Sequence, residues 1–156
     1  MRIIERFPPT PPQGRFIRLY LYIHRVDEFE PGVYVYDFES GGLELCRRGD
    51  QRFVAAGLSL RQDLAGNSCV TFSMVGDLDG ATRLYGDRGY RYVHFEAGAI
   101  GQQLYVASEA VGLRATGIGA FFDDRVNRYL ELESSQGEVV YHFAIGHPVL
   151  DDRLSA

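Results

Sequence analysis

The sequence predicts an α+β domain, a largely antiparallel sheet around one long buried helix. Three observations predict it. Short segments rich in aromatic and β-branched residues alternate with tight-turn signals, as in strands joined by hairpins. One stretch, from about Arg88 to Val111, carries apolar and small residues nearly all round, as does a helix covered on most sides. The chain has 156 residues, 46% of them apolar, which is enough for one core and one domain.

Residues 1–14 read as an extended lead-in. Its stretch Phe7-Pro8-Pro9-Thr10-Pro11-Pro12-Gln13-Gly14 fits neither a helix interior nor a central strand, because proline lacks the N–H that both require. The domain is expected over 15–150, with 151–156 as a tail. Arg15–His24, aromatic and β-branched with partial period two, is the first strand. Glu30-Pro31-Gly32 is a turn, since proline pre-sets φ and glycine accepts positive φ. Val33–Asp37 is the second strand, Ser40-Gly41-Gly42 turns again, and Leu43–Cys46 is the third, giving an antiparallel meander. Asp50 is placed to cap a short helix over Gln51–Ala56. Cys69–Val75 is a continuous apolar run of strand length and is expected at the sheet's centre. Glycines and alanines on the Arg88–Val111 helix let another backbone approach, and Gly112 stops it. A further helix runs from Asp123 or Asp124 to about Leu130. Val139–Ile145 is the last strand, before Gly146-His147-Pro148.

Composition excludes several functions. A net charge of -5 argues against broad nucleic-acid binding, which needs a basic face to displace counterions. A few arginines still suffice for one anionic cofactor; Arg47, Arg48, Arg88 and Arg91 are the candidates. No apolar run approaches the ~20 residues that span a bilayer. Met1–Phe7 has no apolar signal core, so the cytoplasm is the expected compartment, with no membrane partner. Cys46 and Cys69 lack CxxC spacing and read as buried thiols without redox or metal roles. The histidines are scattered, with no His-x-x-x-His or His–Glu pair, so no metal is expected; His24 and His142 read as satisfied residues of strands. Asp123 and Asp124 read as helix N-caps rather than an acid/base pair. There is no Gly-x-Ser-x-Gly elbow.

Several short motifs occur in a particular order. Tyr85-Gly86-Asp87-Arg88-Gly89-Tyr90-Arg91-Tyr92 is followed by Phe95-Glu96-Ala97-Gly98 and Gln102-Gln103-Leu104. Ala110-Val111-Gly112-Leu113, Gly117-Ile118-Gly119-Ala120-Phe121 and Ile145-Gly146-His147-Pro148 come after, and Glu30–Asp37 and Cys46–Asp50 before. Each is weak alone; together, from Arg15 onward, they resemble the nitroreductase-like flavoproteins, and most of all the SagB-type dehydrogenases. The resemblance implies a nitroreductase-like fold of which this chain carries the later part. It implies FMN as cofactor, a flavin site built at a dimer interface with an identical or related chain, and a small-molecule or peptide substrate. It places Gly117, Ile118, Gly119 and Ala120 against the flavin. That fits their small bulk, which lets a planar ring lie on the backbone. Read locally, the same residues are also a plain glycine-rich turn leading into a helix.

The departures from the family pattern are specific. The Arg-Arg-Ser type segment for the flavin phosphate does not precede Phe7. The family's Pro-Ser-Gly-Gly falls at Pro9-Thr10-Pro11-Pro12, which keeps Thr10 as a cofactor contact but replaces the glycines. Azoline-oxidising members have a Lys before the Tyr-Gly tyrosine; here it is Leu84, so Tyr85 alone remains as catalytic proton donor, beside its reading as a packing residue. Two functions therefore stay open. One is an FMN-dependent oxidoreductase that needs a partner chain or domain. The other is a flavin-free scaffold or peptide-binding subunit of a biosynthetic complex.

Overall fold

The structure, a computed structural model, describes residues 15–149. Thr10 and the Pro-rich lead-in lie outside the described residues. Six strands form one fully antiparallel sheet: β1 (Ile17–Ile23), β2 (Gly32–Tyr36), β3 (Leu43–Arg48), β4 (Val70–Gly76), β5 (Arg114–Ile118) and β6 (Glu138–Gly146). Their order across the sheet is β3-β2-β1-β4-β6-β5. The expected meander is β3-β2-β1, and the Cys69–Val75 run is β4, near the middle. The helices are α1 (Arg52–Leu58), α2 (Asp63–Asn67), α3 (Leu78–Tyr85), α4 (Arg88–Ala110) and α5 (Asp123–Tyr129).

Both faces of the sheet are covered, which explains why β1 and β4 read as nearly unbroken apolar runs although their neighbours are antiparallel. On β1, Leu19, Leu21 and Ile23 face α3 and α4, meeting Ala81, Val93, Ala97, Ile100 and Leu104. Tyr20 and Tyr22 face the other way, toward Ala55 and Leu58 of α1 and Val126 of α5. α4 comes down close onto β6: a side chain on Gly101 would stand 3.1 Å from the Tyr141 ring. Gly112, at φ 76°, stops α4 as a residue just past the last turn should. On α4, Glu96 turns its buried carboxylate toward the sheet, where it accepts the backbone N–H groups of Phe16 (3.0 Å) and Ile17 (3.4 Å) at the start of β1. Burial raises its pKa, and those N–H groups hold it down in part.

Several local expectations need correction. The cap of α1 is Gln51, and the Asp50 carboxylate instead accepts the Arg52 N–H at 2.9 Å. The cap of α5 is Phe122; Asp123 and Asp124 lie inside the first turn, where their charge meets the helix dipole. Cys46 is exposed on edge strand β3 and Cys69 is half-buried, because neither position has a full layer over it. α2, α3 and β5 have no counterpart among the elements that the sequence predicts. The sheet covers one side of α4 only: Phe95 and Val106 on its other side are 58 and 54% exposed.

Candidate functional site

The segment Thr116–Ala120 is half strand and half loop. Thr116, Gly117 and Ile118 complete β5, an edge strand paired with β6 as Thr116↔Ala144, Gly117↔Phe143 and Ile118↔His142. Ile118 is 3% exposed and packs into the core on the α5 side. Gly117 faces the α4 side, where a side chain would overlap the Tyr141 phenol. Its N–H points off the sheet edge and donates to Tyr105 Oη at 2.7 Å. Gly117 and Ile118 thus anchor the segment to the protein. Gly119 and Ala120 are exposed, and nothing lies within 4 Å of where a Gly119 side chain would be.

The loop stands on a rigid base. Gln62 Nε2 donates to the Ala120 carbonyl at 3.1 Å, and Phe122 N donates to Leu58 O at 2.9 Å. Phe121 stacks on the His142 ring, with centroids 4.5 Å apart and planes 16° apart. His142 is 1% exposed; its Nδ1 meets Ser59 Oγ at 3.1 Å and its Nε2 meets Ser73 Oγ at 2.9 Å. Ser73 Oγ in turn donates to Tyr22 Oη at 3.2 Å. Burial pushes the His142 pKa down to about 4, so the ring is neutral at neutral pH. The expectation of a satisfied histidine holds here. It holds only in part for His24, whose Nε2 meets Ala65 O at 3.2 Å while its buried Nδ1 has no partner.

Beside β5 a recess of about 260 Å³ is lined by Asn67, Ser68, Arg114, Thr116, Ala144 and His147, among others. Arg114 there pairs with Glu109 at 2.8 Å. Of the other arginines considered, Arg47 is paired with Glu131 at 2.6 Å and Arg48 with Glu30, while Arg88 and Arg91 sit exposed on the first turns of α4.

Tyr85 ends α3, half-buried, with edge-to-face contacts to Phe16 (6.1 Å) and Tyr92 (5.0 Å). Its hydroxyl is buried without a hydrogen-bond partner. Leu84, just before it, is 51% exposed. The chain does not bring Tyr85 to the Gly117–Ala120 segment. Tyr85 touches α4 at Tyr92 and Gly117 touches it at Tyr105, about 20 Å apart at 1.5 Å per residue. The residues that sequence reading missed are Tyr105 and Tyr141, which hold Gly117. Tyr105 sat among the apolar residues of the helix, and nothing local marks it as reaching a strand edge.

The sequence profile of the nitroreductase family matches residues 19–147. Among curated relatives, the nitroreductase-class protein MJ1384 of Methanocaldococcus jannaschii is 28% identical over 117 residues, which cover 75% of this chain and 59% of that protein. A nitroreductase-class structure from Anabaena variabilis superposes with a TM-score of 0.81 at 34% identity, over 86% of this chain and 27% of that one. The Escherichia coli microcin synthetase McbBCD complex, solved with truncated pro-MccB17 bound, superposes at 0.72 and 22% identity, over 86% of this chain and 52% of that one. That last likeness speaks to fold alone. The chain therefore spans between about a quarter and three-fifths of these proteins' lengths, and the profile, the sheet order and the long helix together place it in the nitroreductase family.

Proposed function

We propose that the chain is an FMN-dependent oxidoreductase acting on a small organic or peptide substrate, with its site completed by a second chain, identical or related. The exposed Gly119–Ala120 surface carries this reading: it is open on its outer side and fixed from beneath by Ile118, Phe121 and the neutral His142. Such a surface fits a planar ring. Gly117 and Ile118 hold the strand at the ring's edge, and Gly119 and Ala120 offer backbone to it. Asn67, Arg114 and His147 line the recess that Thr116 also lines, and offer donors to a phosphate. FMN, when bound, supplies two-electron redox chemistry. Tyr85 would hold a proton at its unpartnered Oη. About 20 Å from the loop of its own chain, it would have that role only toward the loop of a second copy. A cytoplasmic location belongs to the same reading.

Ala120→Val tests the ring contact. It adds two methyl groups to the open surface, where overpacking costs ~1–3 kcal/mol. FMN affinity, read by fluorescence quenching with the partner chain present, is expected to fall by about 5- to 150-fold with the melting temperature nearly unchanged. Equal affinity in a folded variant would remove the ring from this loop. Leu84, which cannot act as acid or base, supports a second reading, a flavin-free scaffold or peptide-binding subunit. A wild-type protein that binds no FMN with its partner present would favour it.

A further inference from the structure

Two phenol groups converge on Gly117 from different elements. Tyr105, on α4, and Tyr141, on β6, both pack edge-on against Phe143, with ring centroids 4.8 and 6.2 Å away. Phe143 is 0% exposed and lies opposite Gly117 in the β5–β6 ladder, so both rings stand on a fixed base. Two missing side chains make the room: Gly101 of α4 and Gly117 of β5 flank the Tyr141 ring, and a side chain on either would press on it. Tyr141 thus threads between α4 and β5 and brings its hydroxyl to the Gly117 backbone, where Tyr105 Oη accepts the Gly117 N–H at 2.7 Å. Neither hydroxyl proton finds an acceptor among the described residues. Tyr141 Oη is not sealed in; the one phenol oxygen buried there without a partner is that of Tyr85. A phenylalanine would cover Gly117 equally well, so packing does not account for the Tyr141 oxygen. Burial, and the nearby Tyr105, raise the Tyr141 pKa, so the group keeps its proton at neutral pH. Glu109, one turn further along α4, is held by Arg114 at 2.8 Å.

We infer that Tyr105 and Tyr141 are a pair of donors for one oxygen of a bound ligand, the oxyanion of a planar phenolate or enolate. Two O–H groups braced by one buried ring are preorganised dipoles, the arrangement that stabilises negative charge on a single oxygen. Gly117 is two residues from Gly119, so that oxygen lies at the rim of the proposed ring surface, roughly 7 Å along the chain. A part in handling substrate there rests on the FMN reading; the donor pair itself does not.

The probe is 7-hydroxycoumarin, whose excitation moves to longer wavelength when its phenol ionises, on the full chain without added FMN. The protein contains no tryptophan, so coumarin emission is read without indole background. Donation to the oxygen favours the anion, so the protein should hold phenolate roughly three- to tenfold tighter than phenol, seen as a lowered ionisation midpoint of the bound dye. Tyr141→Phe keeps the ring in its slot and removes only the oxygen, so its melting temperature should stay within about 2 °C of wild type. It and Tyr105→Phe should each remove at least half of the preference for phenolate, and the double variant all of it. No saturable binding, an equal hold on phenol and phenolate in the wild type, or an undiminished preference in the double variant would overturn the proposal. An FMN titration of the same samples keeps the two readings apart. A preference for phenolate without FMN binding retains the donor pair and removes the flavin; FMN binding without that preference does the reverse.

Discussion

On one side of α4, Val93, Ala97, Ile100 and Leu104 are between 0 and 4% exposed; on the other, Phe95 and Val106 are 58 and 54% exposed. The residue types are alike and their surroundings opposite. A helix apolar all round declares that both sides want cover, but not what supplies it. Here the sheet supplies one side. The other side is the surface on which the proposed second copy would lie, and on which the distant Tyr85 and Gly119–Ala120 would meet across the interface. Paired substitutions break this comparison most directly. Ile100→Ala removes a buried side chain from the sheet-facing side and is expected to cost about 2–5 kcal/mol in urea denaturation. Phe95→Ala on the outer side should move the stability of the isolated chain by less than about 0.5 kcal/mol. Its effect should appear in sedimentation, as loss of the proposed association. If Phe95→Ala destabilised the chain as much as Ile100→Ala, the outer side would already be covered within one chain.

The two faces of the sheet differ as well, and pH separates them. The α4 face is apolar apart from Glu96, Gln103 and Ser108, whereas the α1/α5 face buries the chain Ser59–His142–Ser73–Tyr22. His142 is held at about 4, from an ordinary 6.5, by burial. Between those values the unfolded chain binds a proton that the folded chain refuses. Stability from this group is therefore complete above pH 6.5 and lost as pH falls toward 4, by on the order of 3 kcal/mol. His24, lowered to about 4 by its own burial, acts in the same direction. Glu96, raised by burial, acts in the opposite one, but it is common to wild type and variant and cancels in their difference. His142→Gln should leave a pH profile of the urea midpoint shallower by about one proton between pH 4 and 6.5. Identical slopes would mean that the ring is protonated in place.

How legible these regions were follows from how their residues are used. α4 and β4 could be read because burial on a known period leaves a long signal. α3 could not, because Leu78–Tyr85 buries only Ala81 and carries Gly80 in its first turn. β5 reads as part of a loop, because Gly117 weakens strand propensity and only Ile118 of the strand is fully buried. What makes it a strand is non-local: its ladder with β6 and the Tyr141 ring laid over the missing side chain, an aromatic cover for an edge glycine. The small-residue segment was found from its composition. Its division into anchored Gly117–Ile118 and open Gly119–Ala120 depended on Tyr105, Tyr141 and His142, residues distant in sequence that announce nothing locally.

The smallest effect gives the sharpest version of the comparison, because it uses two glycines of one helix. Gly101 faces the sheet, where a side chain would press on Tyr141 at 3.1 Å. Gly98 faces outward, with nothing within 4 Å of its missing side chain. An exposed mid-helix glycine costs about 1 kcal/mol relative to alanine, so a chain that used Gly98 alone would gain by replacing it. Gly98→Ala should therefore raise the stability of the isolated chain by about 0.5–1 kcal/mol in thermal or urea unfolding. Gly101→Ala should gain less or lose, because Tyr141 must give way. The assembled state should reverse the order. If a second helix lies close over Gly98, the added methyl group wedges the two apart, and Gly98→Ala should weaken self-association or partner binding in sedimentation while Gly101→Ala leaves it unchanged. A Gly98→Ala chain that is both more stable and equally associated would show that the outer side of α4 meets no backbone at this point, and the interface would then have to be sought away from the middle of the helix.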